Sequence, residues 1–354
     1  MSVVKDLFGT MPDGTDVERY TLTNRKGVSA SFITLGAVWV TMMAPDRKGK
    51  FEDVILGYDS VEHYLTNPPH LGAPIGRNAN RIGGANVTID GVDYPLEANN
   101  GPNNLHSGPN YYHSRIWKAE SFEEPGKSGV TFSLDSPHMD QGYPGKAKIQ
   151  VTYILDEDNA LKLEYRMVSD RDTIANFTNH CYFNLAGHKE PDILNQMVWI
   201  DGDFYTPADA VSIPTGEIAP VAGTPMDFTE MKPIGRDIEE PFQALVLGNG
   251  YDHNWVLNHP AGELALSAKA LDPDSGRLLE VYTDLPGMQF YTGNFLSSQL
   301  PGKDGADYGR RHAYCFETQY YPDAVHKENF PSPFLKAGEE YHTVTVYRFT
   351  TDGL

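Results

Sequence analysis

The sequence has few cysteines and few basic residues, and each shortage excludes a class of protein. Its 354 residues include two cysteines, Cys181 and Cys315, which cannot form the disulfide framework of a small secreted domain. We expect both cysteines to be free, buried thiols in a protein of a reducing compartment. Lysine and arginine total 28 against 48 acidic residues, which gives a formal net charge of −20. So acidic a chain repels phosphate groups, and we expect it to bind neither nucleic acid nor an anionic membrane.

Long apolar runs are missing too. No stretch approaches the roughly eighteen apolar residues of a transmembrane helix, and residues 1–10 lack the basic segment and apolar run of a secretory signal. We therefore expect a cytoplasmic protein. The sequence also lacks the Gly-x-Ser-x-Gly elbow, the Gly-x-Gly-x-x-Gly fingerprint and the Gly-Lys-Ser/Thr loop. These absences remove the usual signatures of serine hydrolases and of dinucleotide-binding or nucleotide triphosphate-binding proteins.

Alternation of β-branched or aromatic residues with polar ones recurs along the chain, which is the pattern of half-buried strands. It predicts strands over residues 28–35, 87–90, 130–134, 149–155, 161–168 and 341–349. Turn sequences separate these strands at short intervals, at residues 90–91, 156–159 and 274–276. Such turns are typical of hairpins, and they indicate an antiparallel arrangement.

Helical periodicity is hard to find in this chain. One short helix is predicted over residues 59–65, with Asp59 or Ser60 as its N-cap. The 33 glycines and 25 prolines are spread evenly, so no linker marks a domain boundary and no repeat is visible. We predict an all-β protein, with residues 1–354 forming a single domain built as a large antiparallel β-sandwich.

Two glycine-rich segments carry polar groups that suit a sugar ligand. Residues 76–82 are Gly-Arg-Asn-Ala-Asn-Arg-Ile, and residues 99–108 are Asn-Asn-Gly-Pro-Asn-Asn-Leu-His-Ser-Gly. They bring Asn80, Arg81 and His106 onto turns beside short strands. Amides, guanidinium groups and an imidazole can bind several hydroxyls and exchange protons without a metal or a cofactor. The combination indicates a carbohydrate.

Later segments place further polar side chains on predicted strands. They carry, in order, His180 (residues 176–185), Asp252 (250–255), Gln289 (287–294) and Glu317 (314–319). Glu317 is flanked by apolar residues, and a buried carboxylate must be paired or have its pKa raised. A raised pKa is how a general base can be prepared.

Each of these residues also has a structural interpretation. A lone histidine in a strand is more often a structural residue than a catalyst, Asp252 is suited to capping a turn, and Gln289 to satisfying backbone groups. Glu317 could form a buried ion pair with Arg77 or Arg81. A metal site is the weaker hypothesis for these residues, because the sequence has no histidine or cysteine pair at zinc-ligand spacing.

The motifs taken together resemble the aldose 1-epimerases, the galactose mutarotases. The resemblance rests on residues 80–82, 103–108, 179–185, 252–253 and 316–319, which occur in the order of the family's motifs. It runs from Gly36-Ala37 to residues 330–333 and so covers almost the whole chain. The resemblance implies a β-sandwich of the mutarotase type, with the sugar in an open cleft and no cofactor or metal.

The resemblance also implies roles for particular residues. Glu317 would be the general base that removes the anomeric hydroxyl proton, and His180 the acid that protonates the ring oxygen, assisted by His106. The implied sugar-binding residues are Asn80, Arg81, Asp252 and Gln289. Ser107 stands where a second glycine often follows the histidine, and Cys181 stands between His180 and Tyr182; neither change removes a functional group.

Other functions of the same fold stay open at this point. A non-catalytic sugar-binding protein could use the same amides and aromatic rings, and a hexose-6-phosphate epimerase would share the acid and the base. The second would benefit from a cluster of lysines or arginines for its phosphate, and no such run is visible. We expect a free aldose such as galactose or glucose as substrate, and a monomer or homodimer. The sequence does not distinguish among the aldoses.

Overall fold

The computed structural model describes residues 1–352, and the last two residues of the predicted domain lie outside this range. The strands up to residue 169 are β1 (Ser2–Thr10), β2 (Asp16–Thr23), β3 (Ser29–Ile33), β4 (Trp39–Pro45), β5 (Phe51–Asp53), β6 (Ala73–Ile75), β7 (Arg81–Ile82), β8 (Asn86–Ile89), β9 (Val92–Pro95), β10 (Asn104–Leu105), β11 (Lys118–Glu124), β12 (Lys127–Ser136), β13 (Ala147–Asp156) and β14 (Ala160–Ser169).

The later strands are β15 (Thr173–Ile174), β16 (Thr178–His180), β17 (Met197–Ile200), β18 (Phe204–Thr206), β19 (Ala219–Pro220), β20 (Lys232–Pro233), β21 (Asp252–Val256), β22 (Ala265–Leu271), β23 (Arg277–Thr283), β24 (Gly287–Tyr291), β25 (Cys315–Gln319), β26 (Phe334–Leu335) and β27 (Glu340–Thr351). Each strand predicted from alternation coincides with one of these. The all-β prediction is therefore confirmed.

The strands form antiparallel sheets. The largest has nine strands in the order β11-β12-β13-β14-β27-β23-β22-β17-β20. One five-stranded sheet is β1-β2-β3-β4-β5, and a second is β19-β18-β21-β24-β25. Two-stranded pairs join β6 to β16, β7 to β10, β8 to β9 and β15 to β26.

The hairpins follow from the turn chemistry that the sequence predicts. Ile89 pairs with Val92 across the β8–β9 turn, and Asp90 and Gly91 between them have φ angles of 52° and 77°. Asparagine, aspartate and glycine are the residues that tolerate two successive left-handed conformations, as a tight two-residue hairpin requires. The turns at residues 156–159 and 274–276 likewise connect β13 to β14 and β22 to β23.

Helices are short. The predicted helix is α1 (Val61–Thr66), and Ser60 is its N-cap, because its Oγ accepts a hydrogen bond from the His63 N–H at 3.3 Å. A second helix, α2 (Gln243–Gly248), was not predicted. No helix within residues 1–352 combines the length and the apolar composition needed to cross a membrane.

Aromatic side chains join the sheets in the core. Phe32 of β3 stacks on Tyr153 of β13, with ring centroids 4.1 Å apart. The hydroxyl of Tyr347 in β27 donates a hydrogen bond to the Phe316 carbonyl in β25 at 3.0 Å, so the nine-stranded sheet is tied to the sheet that carries Glu317. This contact fixes β25 against the core, and it leaves the alternate face of β25 for the site described below.

Candidate active site

A cleft of about 490 Å³ contains all the site residues that the sequence predicts. The predicted residues that line it are Asn80, Arg81, His106, His180, Asp252, Gln289 and Glu317. Prolines and apolar side chains form other parts of the wall, among them Pro68, Pro69, Pro102, Val211 and Phe295. The cleft thus has polar groups able to bind hydroxyls and an apolar wall that suits the carbon face of a sugar.

One sheet positions three of these residues. Strand β24 lies between β21 and β25, and Gln289 stands directly opposite Glu317 in the β24–β25 pair. Asp252 stands opposite Tyr291 in the β21–β24 pair, and its Oδ1 accepts a hydrogen bond from Gln289 Nε2 at 2.7 Å. Because alternate residues of a strand share a face, Gln289 and Tyr291 both line the cleft. Asp252 therefore lies in a strand and binds a side chain, which excludes the turn-capping interpretation.

The short strand β16 brings His180 to Glu317. Phe183, just beyond this strand, exchanges two backbone hydrogen bonds with Tyr314 beside β25, at 2.7 and 3.0 Å. The His180 ring stacks on Tyr182 with centroids 5.0 Å apart. In this arrangement 3.7 Å separates His180 Nε2 from Glu317 Oε1.

Glu317 is the most confined ionisable group of the cleft. Its side chain is 3% exposed, and its Oε2 atom has no hydrogen-bond partner. Within residues 1–352 it forms no ion pair with Arg77 or Arg81. Arg77 instead lies buried outside the cleft, where it donates to the carbonyls of Pro144 and Gly145 at 2.7 and 2.8 Å. The ion-pair interpretation of Glu317 is therefore wrong.

Burial acts on Glu317 and His180 in opposite directions. Loss of hydration raises the pKa of Glu317 well above its ordinary value; the negative charge of Asp252 raises it further, and Arg81 opposes this. Burial likewise lowers the pKa of His180 well below its ordinary value, with the neighbouring His70 as a smaller cause. The two groups lie close enough to titrate as a pair. The interior therefore favours the neutral pair, with the proton on the carboxyl, over the charged pair.

His106 is held by the backbone of Asn80. The backbone N–H of Asn80 donates a hydrogen bond to the ring nitrogen Nδ1 of His106 at 3.1 Å. The backbone N–H of His106 donates in return to the Asn80 carbonyl at 2.9 Å. Since Nδ1 accepts a hydrogen bond, the proton of the neutral ring must lie on Nε2. Burial is the largest cause that lowers the pKa of His106 well below its ordinary value, and repulsion from His180 and other basic neighbours lowers it further. His106 is therefore a hydrogen-bond donor toward the cleft.

The tautomer of His106 also bears on metal binding. Ligand atoms of His106, His180 and Glu317 all lie within 4.8 Å of one another, a spacing from which a divalent cation could be held after small movements. A neutral imidazole whose Nδ1 accepts from Asn80 N–H has no free lone pair on Nε2 for a metal. The donor set thus fits poorly to a metal ion, because binding would require His106 to give up its bond to the backbone.

Arg81 and Asn80 border the other side of the cleft. Arg81 lies in β7 opposite Leu105 of β10, and its Nε donates to Asn100 Oδ1 at 3.0 Å. The Asn80 amide approaches Gln319 Oε1 at 3.4 Å, which links the two sides of the site. Among the described residues that line the cleft, Arg81 is the only lysine or arginine.

Two residues that line the cleft were not predicted from the sequence. His70 lies in a proline-containing loop, and its Nδ1 is 3.0 Å from His113 Nε2. Its ring centroid lies 5.3 Å from that of His106, so a third imidazole faces the predicted pair. Phe295 lines the cleft and is 60% exposed. His70 follows a turn and Phe295 lies in one, so no strand periodicity marks either residue.

Comparison with known proteins agrees with this geometry. The sequence model of the aldose 1-epimerase family matches residues 18–348. The galactose mutarotase of Bos taurus is 42% identical over 351 residues, which is 99% of each chain. The aldose 1-epimerase of Escherichia coli K12 is 34% identical over 344 residues, covering 96% of this chain and 97% of the other.

A solved structure shares the fold. The crystal structure of galactose 1-epimerase from Lactobacillus acidophilus NCFM superposes with a TM-score of 0.88 at 25% identity, over 99% of both chains. The family match and the full-length relatives extend over the segments that carry the cleft residues, from Asn80 to Glu317. The chain belongs to the aldose 1-epimerase family.

Proposed function

We propose that the protein is an aldose 1-epimerase that interconverts the α and β anomers of a free aldohexose such as galactose or glucose. The observation that carries this proposal is the buried pair of Glu317 and His180, with 3.7 Å between Oε1 and Nε2, at a cleft lined by amides, imidazoles and an arginine. Galactose mutarotases and aldose 1-epimerases among the full-length relatives support the same reaction.

The proposed reaction moves two protons and one C–O bond. The Glu317 carboxylate takes the proton from O1 as the C1–O5 bond breaks, and His180 Nε2 gives a proton to O5. An open-chain aldehyde results. Rotation about C1–C2 presents the other carbonyl face, and the same steps in reverse close the ring. Each well-placed proton-transfer group contributes about 10²–10⁴-fold to such a rate.

Ring opening converts the charged pair of Glu317 and His180 into the neutral pair. Burial favours that neutral pair, because a low-dielectric interior penalises both charges. The environment therefore assists opening, and the attraction between the two opposite charges keeps the starting state accessible. Because its Oε2 has no hydrogen-bond partner in the protein, the Glu317 carboxylate is also free to accept from the anomeric hydroxyl.

The remaining cleft residues are proposed to bind the sugar. His106 would donate from Nε2 to a ring or hydroxyl oxygen and would not itself transfer a proton. Asp252 would accept hydrogen bonds from distal hydroxyls, and Gln289, which binds Asp252 at 2.7 Å, would contact the anomeric end. Asn80 and Arg81 would bind sugar hydroxyls or the ring oxygen from the other side of the cleft.

A free sugar fits the cleft better than a sugar phosphate. Arg81 is the only lysine or arginine among the described lining residues, and the chain carries a net charge of −20. A phosphate dianion would therefore meet one guanidinium within a repulsive overall field. We expect the 6-phosphates of glucose and galactose to compete weakly with the free sugars.

We also propose that residues 1–354 act as one domain, in the cytoplasm, as a monomer or homodimer. The hydrophobic core supports the first point, since one cluster includes Tyr20 and Phe349. Free buried thiols at Cys181 and Cys315 support a reducing compartment. Light scattering after gel filtration would measure the oligomeric state.

Polarimetry of freshly dissolved α-D-galactose and α-D-glucose tests the proposed activity. The protein should speed the approach to the uncatalysed final rotation, and Glu317→Gln should nearly abolish this effect. Glu263→Gln, which removes an exposed carboxylate elsewhere, is the matched control and should leave the rate unchanged. No acceleration with either sugar would contradict the proposal, and polarimetry of their 6-phosphates would then test the phosphorylated substrates directly.

A further inference from the structure

The interior side of His180 contacts a thiol. Cys315 Sγ lies 3.5 Å from His180 Nδ1, and neither residue is exposed beyond 6%. Cys315 precedes Glu317 by two residues on β25, so both side chains lie on one face of that strand. The sulfur and the carboxylate therefore contact opposite edges of the same imidazole ring.

Each ring nitrogen of a buried imidazole needs a suitable partner in every protonation state. At Nδ1 of His106 the partner is the Asn80 N–H, which can only donate. That partner stabilises a ring with a lone pair on Nδ1 and opposes an imidazolium, in which Nδ1 also carries a proton. A buried carboxylate would have the reverse effect and would hold the imidazolium too firmly.

A thiol behaves differently, because S–H is a weak donor and sulfur a weak acceptor. By rotation about the Cβ–Sγ bond, Cys315 can donate to Nδ1 of a neutral ring whose proton lies on Nε2. It can equally accept from Nδ1–H in the imidazolium or in the ring that has just released the Nε2 proton. Burial raises the pKa of the Cys315 thiol well above its ordinary value, so the sulfur keeps its own proton throughout.

We propose that Cys315 is a positioning residue that orients His180 and lets its ring change between one and two protons. The proposal rests on the acid role of His180 in the proposed function. It explains why two histidines in one cleft differ: His106 has a donor at Nδ1, whereas His180 has a partner that can donate or accept.

Other groups face the His180 ring and contribute to its titration. They are Glu317 across the cleft at 3.7 Å, His106 and His70 with ring centroids at 5.2 and 5.8 Å, and Tyr182 and Tyr291 at 5.0 and 6.3 Å. Only Cys315 contacts Nδ1 among the described side chains. A substitution at Cys315 therefore changes the Nδ1 contact and leaves those other groups in place.

Kinetics of Cys315→Ala and Cys315→Ser test this role. Alanine removes the partner, so kcat should fall about tenfold, as expected for loss of one weak hydrogen bond, with little change in KM. The alkaline limb of the kcat profile should move to lower pH, because the imidazolium loses its acceptor. Serine is a stronger acceptor that can still donate, so it should recover most of kcat and move this limb to higher pH.

The matched control is Cys181→Ala. Cys181 follows His180 directly, but it packs in the main hydrophobic core and does not line the cleft. This variant should lose stability while keeping the wild-type pH profile. Wild-type kcat and pH profile in Cys315→Ala would overturn the proposal. If that variant does not fold, Cys315→Ser alone decides, and an unshifted profile would overturn the proposal.

A spectroscopic measurement separates this proposal from the proposed function. In sugar-free protein labelled with ¹⁵N-histidine, Cys315→Ser should shift the Nδ1 resonance of His180 and leave that of His106 unchanged. An unchanged His180 resonance would overturn the positioning role whether or not the protein turns over sugar. Absence of turnover in the wild type would instead contradict the proposed function.

Discussion

At the scale of single residues, the site depends on what each ionisable side chain contacts on its buried side. His106 accepts a backbone N–H at 3.1 Å, whereas His180 lies 3.7 Å from a carboxylate. Residue chemistry identified both histidines, but only the family resemblance ranked them, since residue type and spacing do not reveal which ring nitrogen has which partner.

The two histidines should therefore respond differently to substitution. His180→Asn removes the proton donor, and kcat should fall by at least about 100-fold. His106→Gln keeps an N–H that can donate into the cleft, and kcat should fall about tenfold or less. Polarimetric initial rates give both values. A larger loss in His106→Gln than in His180→Asn would transfer the acid role to His106.

Glu317 should make the folded protein less stable at neutral pH. Its pKa is raised by burial in the folded state, so below the ordinary value of 4.5 both states are protonated and no cost arises. As pH rises above 4.5, the unfolded chain loses this proton and the folded chain retains it, which favours unfolding. Glu317→Gln should therefore resist urea better than the wild type at pH 7.5.

The same variant should lose this advantage near pH 4, where the carboxyl is protonated in both states. Urea midpoints of wild type and Glu317→Gln at the two pH values provide the comparison. Equal midpoints at pH 7.5, in variants that both fold, would contradict the strong burial of an ionisable carboxyl.

At the scale of elements, the strands were predictable and their partners were not. Alternation predicts β13 and β14 because it is a local property of the chain, and the hairpin between them follows from the turn at residues 156–159. By contrast, β16 pairs with β6, about a hundred residues earlier. This non-local pair holds His180 in the cleft, and no pattern within either segment indicates it.

Gly72 connects these elements. Its N–H donates to the His180 carbonyl at 3.1 Å and its carbonyl accepts from the Trp39 N–H at 2.9 Å. Its φ is +65°, and an added Cβ would lie 2.0 Å from the Trp39 carbonyl oxygen. Only glycine fits a left-handed position so close to another backbone.

Gly72→Ala should consequently destabilise the protein by at least about 2 kcal/mol, from backbone strain plus displacement of β6. Gly49→Ala is the matched control, since Gly49 has a φ of +80° with no atom within 4 Å of the added Cβ. It should cost only about 1 kcal/mol. Urea unfolding measures both, and similar costs at the two positions would contradict the close-approach argument.

At the scale of the whole molecule, the order of strands was beyond the sequence. The C-terminal strand β27 lies in the middle of the nine-stranded sheet, between β14 and β23. Burial on one face gives all three strands the same alternation, so periodicity cannot say which of them are neighbours. Alternation and turn chemistry predicted an antiparallel β-sandwich and marked the candidate polar residues, while the family resemblance supplied the mutarotase type of the fold and the roles of acid, base and sugar-binding groups.

The buried histidines should reduce the stability of the whole molecule in mild acid, opposite in sign to the effect of Glu317. Burial lowers the pKa of His70 and of His253 to about 4. Above the ordinary value of 6.5 both states are neutral, and this part of the stability is fully present. As pH falls from 6.5 toward 4, the unfolded chain binds protons that the folded chain does not, and unfolding is favoured.

Each such histidine should therefore lower the free energy of unfolding, measured with urea from pH 7.5 to 5, by up to about 1.4 kcal/mol per pH unit. His253→Gln, whose native side chain is 4% exposed and does not line the cleft, should lose less stability than the wild type over this range. An identical dependence of the unfolding free energy on pH in wild type and variant would contradict this linkage.

Exchange NMR on galactose at anomeric equilibrium tests the central claim most directly. Catalysed interconversion appears as magnetisation transfer between the α and β anomeric protons, with no net reaction and no coupled enzyme. Wild-type protein should produce rapid transfer, and Glu317→Gln at the same concentration should produce almost none while still broadening the sugar signals on binding. Transfer at the wild-type rate in Glu317→Gln would contradict the role of this carboxylate as the base.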